Sequence, residues 1–596
     1  MDESPAVASF RRSPLPLILI AAVIQSWGLY GLGWASDHHI WLASRSGLFM
    51  ALYALVTVLP LTLQFLADQR SQRLTWALAA AVGFCFAGFG WHFGHNVSNE
   101  PALGFIAHRA SSEQILVGLV LWLLTLPFIQ ARLVTGRWWP EYPVFFAHAW
   151  RNLLTLAEAA LFTGILWGLL YLCDALFEML GISFFRELYR EEIFYIPVTW
   201  LTFGISLHLI TGMDRFASVV LHHLLNLLKW LALPAVAILA LFAVSLAFWL
   251  HSLLATQKGA IEAGVLLWLA AFVVLLLNAA YRDGATEQPY PRFIGLAIRV
   301  IAPFTLFIAL TAIWGLYVRT SAYGLTVPRT WGWIVAGTAI AFSIGYSICA
   351  VRKGSWMRGM GQVNVVVLLG LIATLSLALT PVLSPYRLTA NSQFRAALSV
   401  PQPKAKASGD WRNDLYRTLR FDAGEYGKAK LAELSTIQNV PNAEEIRERA
   451  RLALTRDYFE YRATIDFKKA LATLSIHPRG RTLDASLSAA IAAAVPAQPI
   501  ANYFLDGQET QGLFVDLTGD GTDEFVLITS ATGMAFEQVN GAWKFSTPLS
   551  LARHCAGEPI GAELEAGRFS IRARKLADLA VGTRMYTPSP DVTCPK

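Results

Sequence analysis

The sequence predicts an all-α polytopic membrane bundle of about eleven transmembrane helices, followed by a soluble α+β C-terminal domain. Three observations predict it. Hydrophobic residues make up 55% of the 596 residues and charged residues only 15%, where soluble domains carry about 25% charged. The deficit is also uneven. Residues 1–384 hold 22 Lys+Arg and 17 Asp+Glu, about 10% charged, whereas residues 385–596 hold 26 and 24, about 24%. Finally, the first part divides into apolar runs near the length of about 20 residues that a helix needs to cross about 30 Å of hydrocarbon. An ordinary soluble enzyme, a disordered chain and a collagen-like fibre are excluded, and five cysteines are too few for a disulfide scaffold.

The runs cover residues 15–34, 48–66, 74–93, 115–134, 153–180, 196–213, 230–250, 263–280, 293–317, 332–350 and 363–383. The fifth is longer than a straight crossing requires and should tilt or project. Orientation follows from Lys and Arg in the short loops. With a cytoplasmic N-terminus, that side holds fourteen of them, including Arg132, Arg137, Arg282, Arg352 and Arg358, against seven opposite. An odd number of spans then exports the tail. The first run is an uncleaved anchor or, if cleaved near Gly33–Ala35, a signal peptide. The net charge of +7 is mostly this positive-inside bias and calls for no nucleic-acid partner.

Ionisable side chains inside apolar runs are costly and often mark function. Glu158, Asp174 and Glu178 fall in or near the fifth run, and Arg299 near the start of the ninth. Asp174 and Glu178 are four apart and share a helix face. Two adjacent carboxylates can relay a proton or bind a cation, or they can form a wet face at the end of a long helix. Arg299 can snorkel toward the cytoplasm. Residues 214–229, with His222 and His223, read as a helix along the interface. Neighbouring histidines on a helix diverge by about 100°, a poor metal pair. Zinc-protease, Walker A and serine-hydrolase motifs are missing from the sequence.

Three stretches carry a family resemblance: Leu277-Asn278-Ala279-Ala280-Tyr281-Arg282-Asp283-Gly284 where a span exits, residues 384–393 (SPYRLTANSQ) after the last span, and residues 419–427 (LRFDAGEYG). In order and setting they resemble the DUF4153 family of polytopic bacterial membrane proteins, over most of residues 1–435. The resemblance implies a bacterial inner-membrane protein and brings no activity. Tyr281, Arg282, Asp283 and Gly284 form its cytoplasmic motif. An ordinary Asp-Gly turn with an arginine anchor reads the same way.

In the predicted periplasmic domain, residues 401–409 (PQPKAKASG) read as a linker. A helical part occupies about 411–495, with helices over 425–438 and 442–461, Asn442 as N-cap and Glu445 at capping-box spacing. A β-rich part occupies about 496–596. Strands are predicted over 512–515, 525–529, 534–539 and 543–545, the last two joined by Asn540-Gly541, a two-residue hairpin signal. The loop Asp516-Leu517-Thr518-Gly519-Asp520-Gly521-Thr522-Asp523-Glu524 resembles the Asp-rich loops of VCBS/FG-GAP-type β repeats. Asp516, Thr518, Asp520, Thr522 and Glu524 are its candidate calcium ligands, Thr522 through its carbonyl. The alternative is a metal-free turn. No other cofactor is expected. Cys555 and Cys594 are the cysteines of the tail and can pair in an oxidising compartment; Cys85, Cys173 and Cys349 lie in spans.

Two function classes follow. One is a non-enzymatic envelope protein whose bundle anchors or regulates a periplasmic domain that binds protein, glycan or calcium. The other is a transporter or channel-like protein using the acids of the fifth span. The lipid bilayer is the partner common to both.

Overall fold

The computed structural model describes residues 15–38, 40–41, 46–96, 104–211, 214–256, 263–284, 289–352, 356–399, 414–455, 471, 474–495, 500, 510–529, 532–550, 560–571, 579–581 and 584–586. It divides into two compact units. The first is residues 1–392 with 422–427; the second is 393–421 with 428–596.

In the first unit, eleven helices among the described residues are long and apolar enough to cross a membrane. In chain order the unit holds α1 (Leu15–Asp37), α2 (Ser46–Phe65), α3 (Arg73–Asn96), α4 (Gly104–Thr135), α5 (Tyr142–Glu178), the short α6 (Phe184–Arg190), α7 (Glu192–Thr211), α8 (Asp214–Thr256), α9 (Ala263–Tyr281), α10 (Arg292–Ile301), α11 (Phe304–Tyr323), α12 (Val327–Val351) and α13 (Met360–Ala378). α14 (Pro385–Leu398) follows.

Each predicted run maps onto one crossing, with two corrections. The ninth is split into α10 and α11 around Ala302 and Pro303, because proline removes an N–H and crowds the preceding turn. The helix expected along the interface over 214–229 is instead continuous with the seventh span in the 43-residue α8. The apolar stretch Val219–Phe242 takes in residues assigned to the interface.

Close packing is obtained with small residues, as membrane helices require when lipid is as apolar as leucine. A Cβ at Gly90 or Gly94 of α3 would stand 2.4 Å from the Met50 carbonyl oxygen or 2.2 Å from that of Ser46, so α2 and α3 touch backbone to backbone. Trp122 of α4 joins this packing and donates to Thr62 Oγ1 at 2.9 Å. A second apolar core gathers α8, α9, α11, α12 and the start of α13 around Leu239, Leu276, Leu277, Ile308 and Tyr346.

The second unit holds a five-stranded sheet in the order β1 (Ser475–His477), β2 (Thr510–Val515), β3 (Glu524–Thr529), β4 (Thr532–Val539) and β5 (Ala542–Ser550). The β1–β2 pair is parallel and the others antiparallel. Asn540 and Gly541 have φ of 53° and 76°, the left-handed pair of a type I′ turn. A helix, α18 (Ala485–Ala494), places Leu487 and Ile491 against Phe525, Leu527, Met534 and Phe536 of the sheet. Its first turn is capped by Asp484, whose Oδ1 accepts the Leu487 N–H at 2.6 Å. Among the described residues, α15 (Leu415–Arg417), a π-helical turn (Thr418–Asp422), α16 (Gly424–Leu434) and α17 (Ala443–Thr455) precede α18 in chain order. α19 (Ile560–Glu565) and a β6–β7 pair (Leu579–Val581 with Arg584–Tyr586) come after the sheet. Asn442, expected as the N-cap, directly precedes α17 and its carbonyl accepts the Ile446 N–H at 3.0 Å, with φ of 59°, and Glu445 pairs with Arg449.

Candidate functional site

The motif Tyr281-Arg282-Asp283-Gly284 ends α9. Arg282 and Gly284 take positive φ, 53° and 80°, and the Gly284 N–H returns to the Tyr281 carbonyl at 3.0 Å. The turn leaves Tyr281, Asp283 and Gly284 on the wall of a recess of about 420 Å³. The rest of the wall comes from Tyr142 and Pro143 at the start of α5, Arg352 after α12, and Arg358, Gly359, Gly361 and Gln362 at the start of α13. Arg282 is not part of this wall.

The charged groups on the wall are two guanidiniums and one carboxylate, so the recess favours an anion. Gly359 stands at φ of 97°, where L side chains are strained, and its absent Cβ leaves room for Arg352 Nη1, which would lie 3.0 Å away. The Tyr281 hydroxyl takes a backbone hydrogen bond from Gly361.

The segment carrying the two arginines is held from α10. Arg299 Nε donates to the Ala350 carbonyl at 2.8 Å and Arg299 Nη2 to that of Arg352 at 2.6 Å. Trp356 Nε1 donates to the Gly295 carbonyl at 3.2 Å, and Met357 is wholly buried. Arg299 therefore caps the last carbonyls of α12, where a cation is favoured, and positions Arg352.

Tyr142 links the recess to a buried polar network drawn from four helices. Asn364 of α13 donates to Tyr142 Oη at 3.0 Å and to Asn278 Oδ1 at 2.5 Å. Asn278 donates to Tyr346 Oη at 2.6 Å, and Tyr346 donates to Asn364 Oδ1 at 2.7 Å. Tyr346 is 1% exposed and Asn364 3%. Asn278 Nδ2 also donates to the Val274 carbonyl at 2.9 Å, so amides, phenols and one backbone carbonyl satisfy one another within the bundle.

The acids of the fifth span lie elsewhere. Asp174 and Glu178 do share a face of α5, but Arg186 of α6 sits between them, with Nε 3.5 Å from Asp174 Oδ2 and Nη2 on Glu178. The Arg186 guanidinium thus offsets the charge of the pair. Glu158 is half-buried earlier in α5.

A second polar cluster surrounds a small cavity of about 30 Å³ lined by Gln64, Gln130, His148, Arg151 and Asn152. That is enough for a water molecule. Gln130 and Asn152 exchange amide hydrogen bonds at 3.1 and 2.7 Å.

In the second unit the loop of residues 516–524 folds onto its own carboxylates. Glu524 is 7% exposed and accepts from Leu517 N at 2.6 Å, Thr518 N at 3.2 Å and Thr518 Oγ1 at 3.2 Å. Asp516 accepts from Gly519 N and Gly521 N, and Asp520 from Thr522 N. The Thr522 side chain and then its N–H hold the Asp520 carboxyl below the usual range. Asp523 pairs with Arg481. No group of three His, Cys, Asp or Glu side chains with metal-holding geometry occurs among the described residues. Cys555 and Cys594 lie outside the described residues.

In the sequence, Arg352 and Arg358 read only as part of the positive-inside bias, and no spacing in it singles out Tyr142, Tyr346 or Asn364 as partners. Asn278 and Asn364 within apolar runs were the available signal, since amides there need a partner.

No family model matches the chain, and neither a curated protein nor a solved structure is significantly similar to it.

Proposed function

We propose that this multi-pass membrane protein is of the binding or transport class and that its bundle, at the Arg352–Arg358 recess, takes an anionic ligand of the phosphate or carboxylate type. The observation that carries this reading is the convergence of two arginines, the Tyr281 hydroxyl and the α13 start on one open recess, floored by the Tyr142–Asn278–Tyr346–Asn364 network. Arginine forks match planar anions and keep their charge at any physiological pH. The DUF4153-like motifs and the lysine and arginine bias support a bacterial inner membrane, a cytoplasmic recess and a periplasmic tail.

Inorganic phosphate, citrate and sulfate should raise the Tm of the purified protein in detergent in a concentration-dependent way. Arg352→Gln and Arg358→Gln should each remove the rise, while Arg137→Gln, at an exposed pair with Glu141, should keep it. No rise with any of the three anions, or an equal rise in the recess variants, overturns the reading. A second reading, in which the bundle anchors an extramembrane interaction domain, is supported by the separate apolar core of the sheet and α18. Phenotypic rescue by a chain carrying both recess substitutions would favour it.

A further inference from the structure

The bundle carries an apolar groove of about 470 Å³ between α4, α9, α12 and α13. Its wall includes Val120, Val274, Trp331, Phe342 and Leu371, and one ionisable group, Glu113. The only other polar side chain on the wall is Thr338, and its hydroxyl is spent on the Ile334 carbonyl at 2.9 Å. Beyond Glu113 and the Trp331 indole N–H at one end, the groove therefore offers a ligand no side-chain donor. A ligand without polar groups is the one that fits.

Position narrows the ligand further. Glu113 and Trp331 stand near the starts of their spans and Leu375 near the end of α13, so that end of the groove lies at a membrane surface, where tryptophan is favoured. The other end reaches Phe342 and Val274, one helical turn from Tyr346 and Asn278 of the buried network. Trp331 to Phe342 is eleven residues of helix, about 16 Å at 1.5 Å per residue. Half of a hydrocarbon core about 30 Å thick is about 15 Å. The groove has the depth of one leaflet. It is also continuous with the surface the bundle presents to the bilayer, since Leu116, Val120 and Val335 on its walls are 61%, 39% and 47% exposed.

We propose that this groove is a binding site for one lipid acyl chain, entered from the leaflet at the Glu113–Trp331 end and ending against the turn that precedes the Asn278–Tyr346 hydrogen bond. The site is independent of the anion recess, so each can fail alone. A second copy of the chain would cover the groove from outside without filling its depth.

The test uses the full chain in nanodiscs containing a phosphatidylcholine with a diazirine near the end of one acyl chain. After photolysis, peptide mapping should find labelling in the groove segments of α4, α12 and α13 about fivefold above that at Leu161 and Phe248, which are exposed elsewhere on the bundle. Ala271→Phe, at an exposed alanine on the groove wall, should bring groove labelling down to that background and leave Leu161 and Phe248 unchanged. Val335→Trp provides the same obstruction from α12 should the first variant not fold. Even labelling over all these positions means an ordinary lipid annulus and overturns the proposal. So does groove labelling that survives both substitutions, and so does an absence of lipid adducts from the groove segments.

Discussion

Replacing Asn364 by leucine, which is branched at the same carbon, removes three hydrogen bonds at once: to Tyr142 at 3.0 Å, to Asn278 at 2.5 Å and from Tyr346 at 2.7 Å. The Tyr346 hydroxyl is then left in a site 1% exposed, without its acceptor. Hydrogen bonds between membrane helices average about 0.6 kcal/mol, so three predict a loss of about 2 kcal/mol. Leaving a buried group unsatisfied adds to that figure rather than subtracts from it. Tyr346→Phe removes only the bonds made by its own hydroxyl, to Asn278 and Asn364, and should cost about 1 kcal/mol. Unfolding of the purified protein in mixed micelles with increasing dodecyl sulfate, followed by circular dichroism, reads both values. A second readout separates a packing role from a role at the recess. If the network is the floor of the anion site, Asn364→Leu should weaken the phosphate-dependent rise in Tm as well as lower the baseline. Stability unchanged within about 0.5 kcal/mol would refute the argument, because surface-like tolerance is incompatible with a satisfied, buried network.

Other outcomes follow from the rest of the chain. Reporter fusions should be active on the exported side after Ser392 and on the cytoplasmic side near Gly354, and opposite activities at those two sites refute the proposed topology. Asp484→Ala should speed amide exchange at α18 and β5, since the carboxylate caps α18 and also accepts the Trp543 Nε1–H at 2.9 Å; the cap alone predicts a loss of about 1 kcal/mol. The Leu487 N–H, then the Ser486 and Trp543 donors, hold the Asp484 carboxyl below the usual range. A depressed folded-state value means the contribution is present above the unfolded-state pKa and lost as pH falls through the folded-state one. Protection factors at α18, which correct for the intrinsic pH dependence of exchange, should thus fall on acidification in the wild type and fall less in Asp484→Asn. Glu524→Ala should destabilise the sheet by about 1–3 kcal/mol by stranding the Leu517 and Thr518 N–H groups. If the loop also takes calcium, as we propose from its spacing, millimolar calcium should raise the Tm and Asp520→Ala should abolish that rise.

The contrast between what was legible and what was not has a physical basis. Helix crossings announce themselves because the bilayer demands a run of apolar residues near one length, and all eleven were placed that way. The Asn540-Gly541 turn was legible because two successive left-handed residues admit few side chains. The short parallel strand Ser475–His477 was not, since three residues carry no periodicity and their partner β2 lies more than thirty positions on. The site suffered from the same limit. Asp174 and Glu178 were visible as a pair on one helix, but the Arg186 that occupies the space between them comes from the next helix, and helix spacing says nothing about it. Arg299 illustrates the converse. Its charge inside an apolar run was correctly singled out, yet its role is fixed by the carbonyls of Ala350 and Arg352, about fifty residues away in sequence. A guanidinium that ends one helix by capping another does more than reach for the interface. It ties α10 to the segment that carries Arg352 and Arg358, so Arg299→Leu should loosen the recess without removing either of its arginines. Phosphate should then bind more weakly while the Asn364 network stays intact, a combination that simple snorkelling of Arg299 into the interface would not produce.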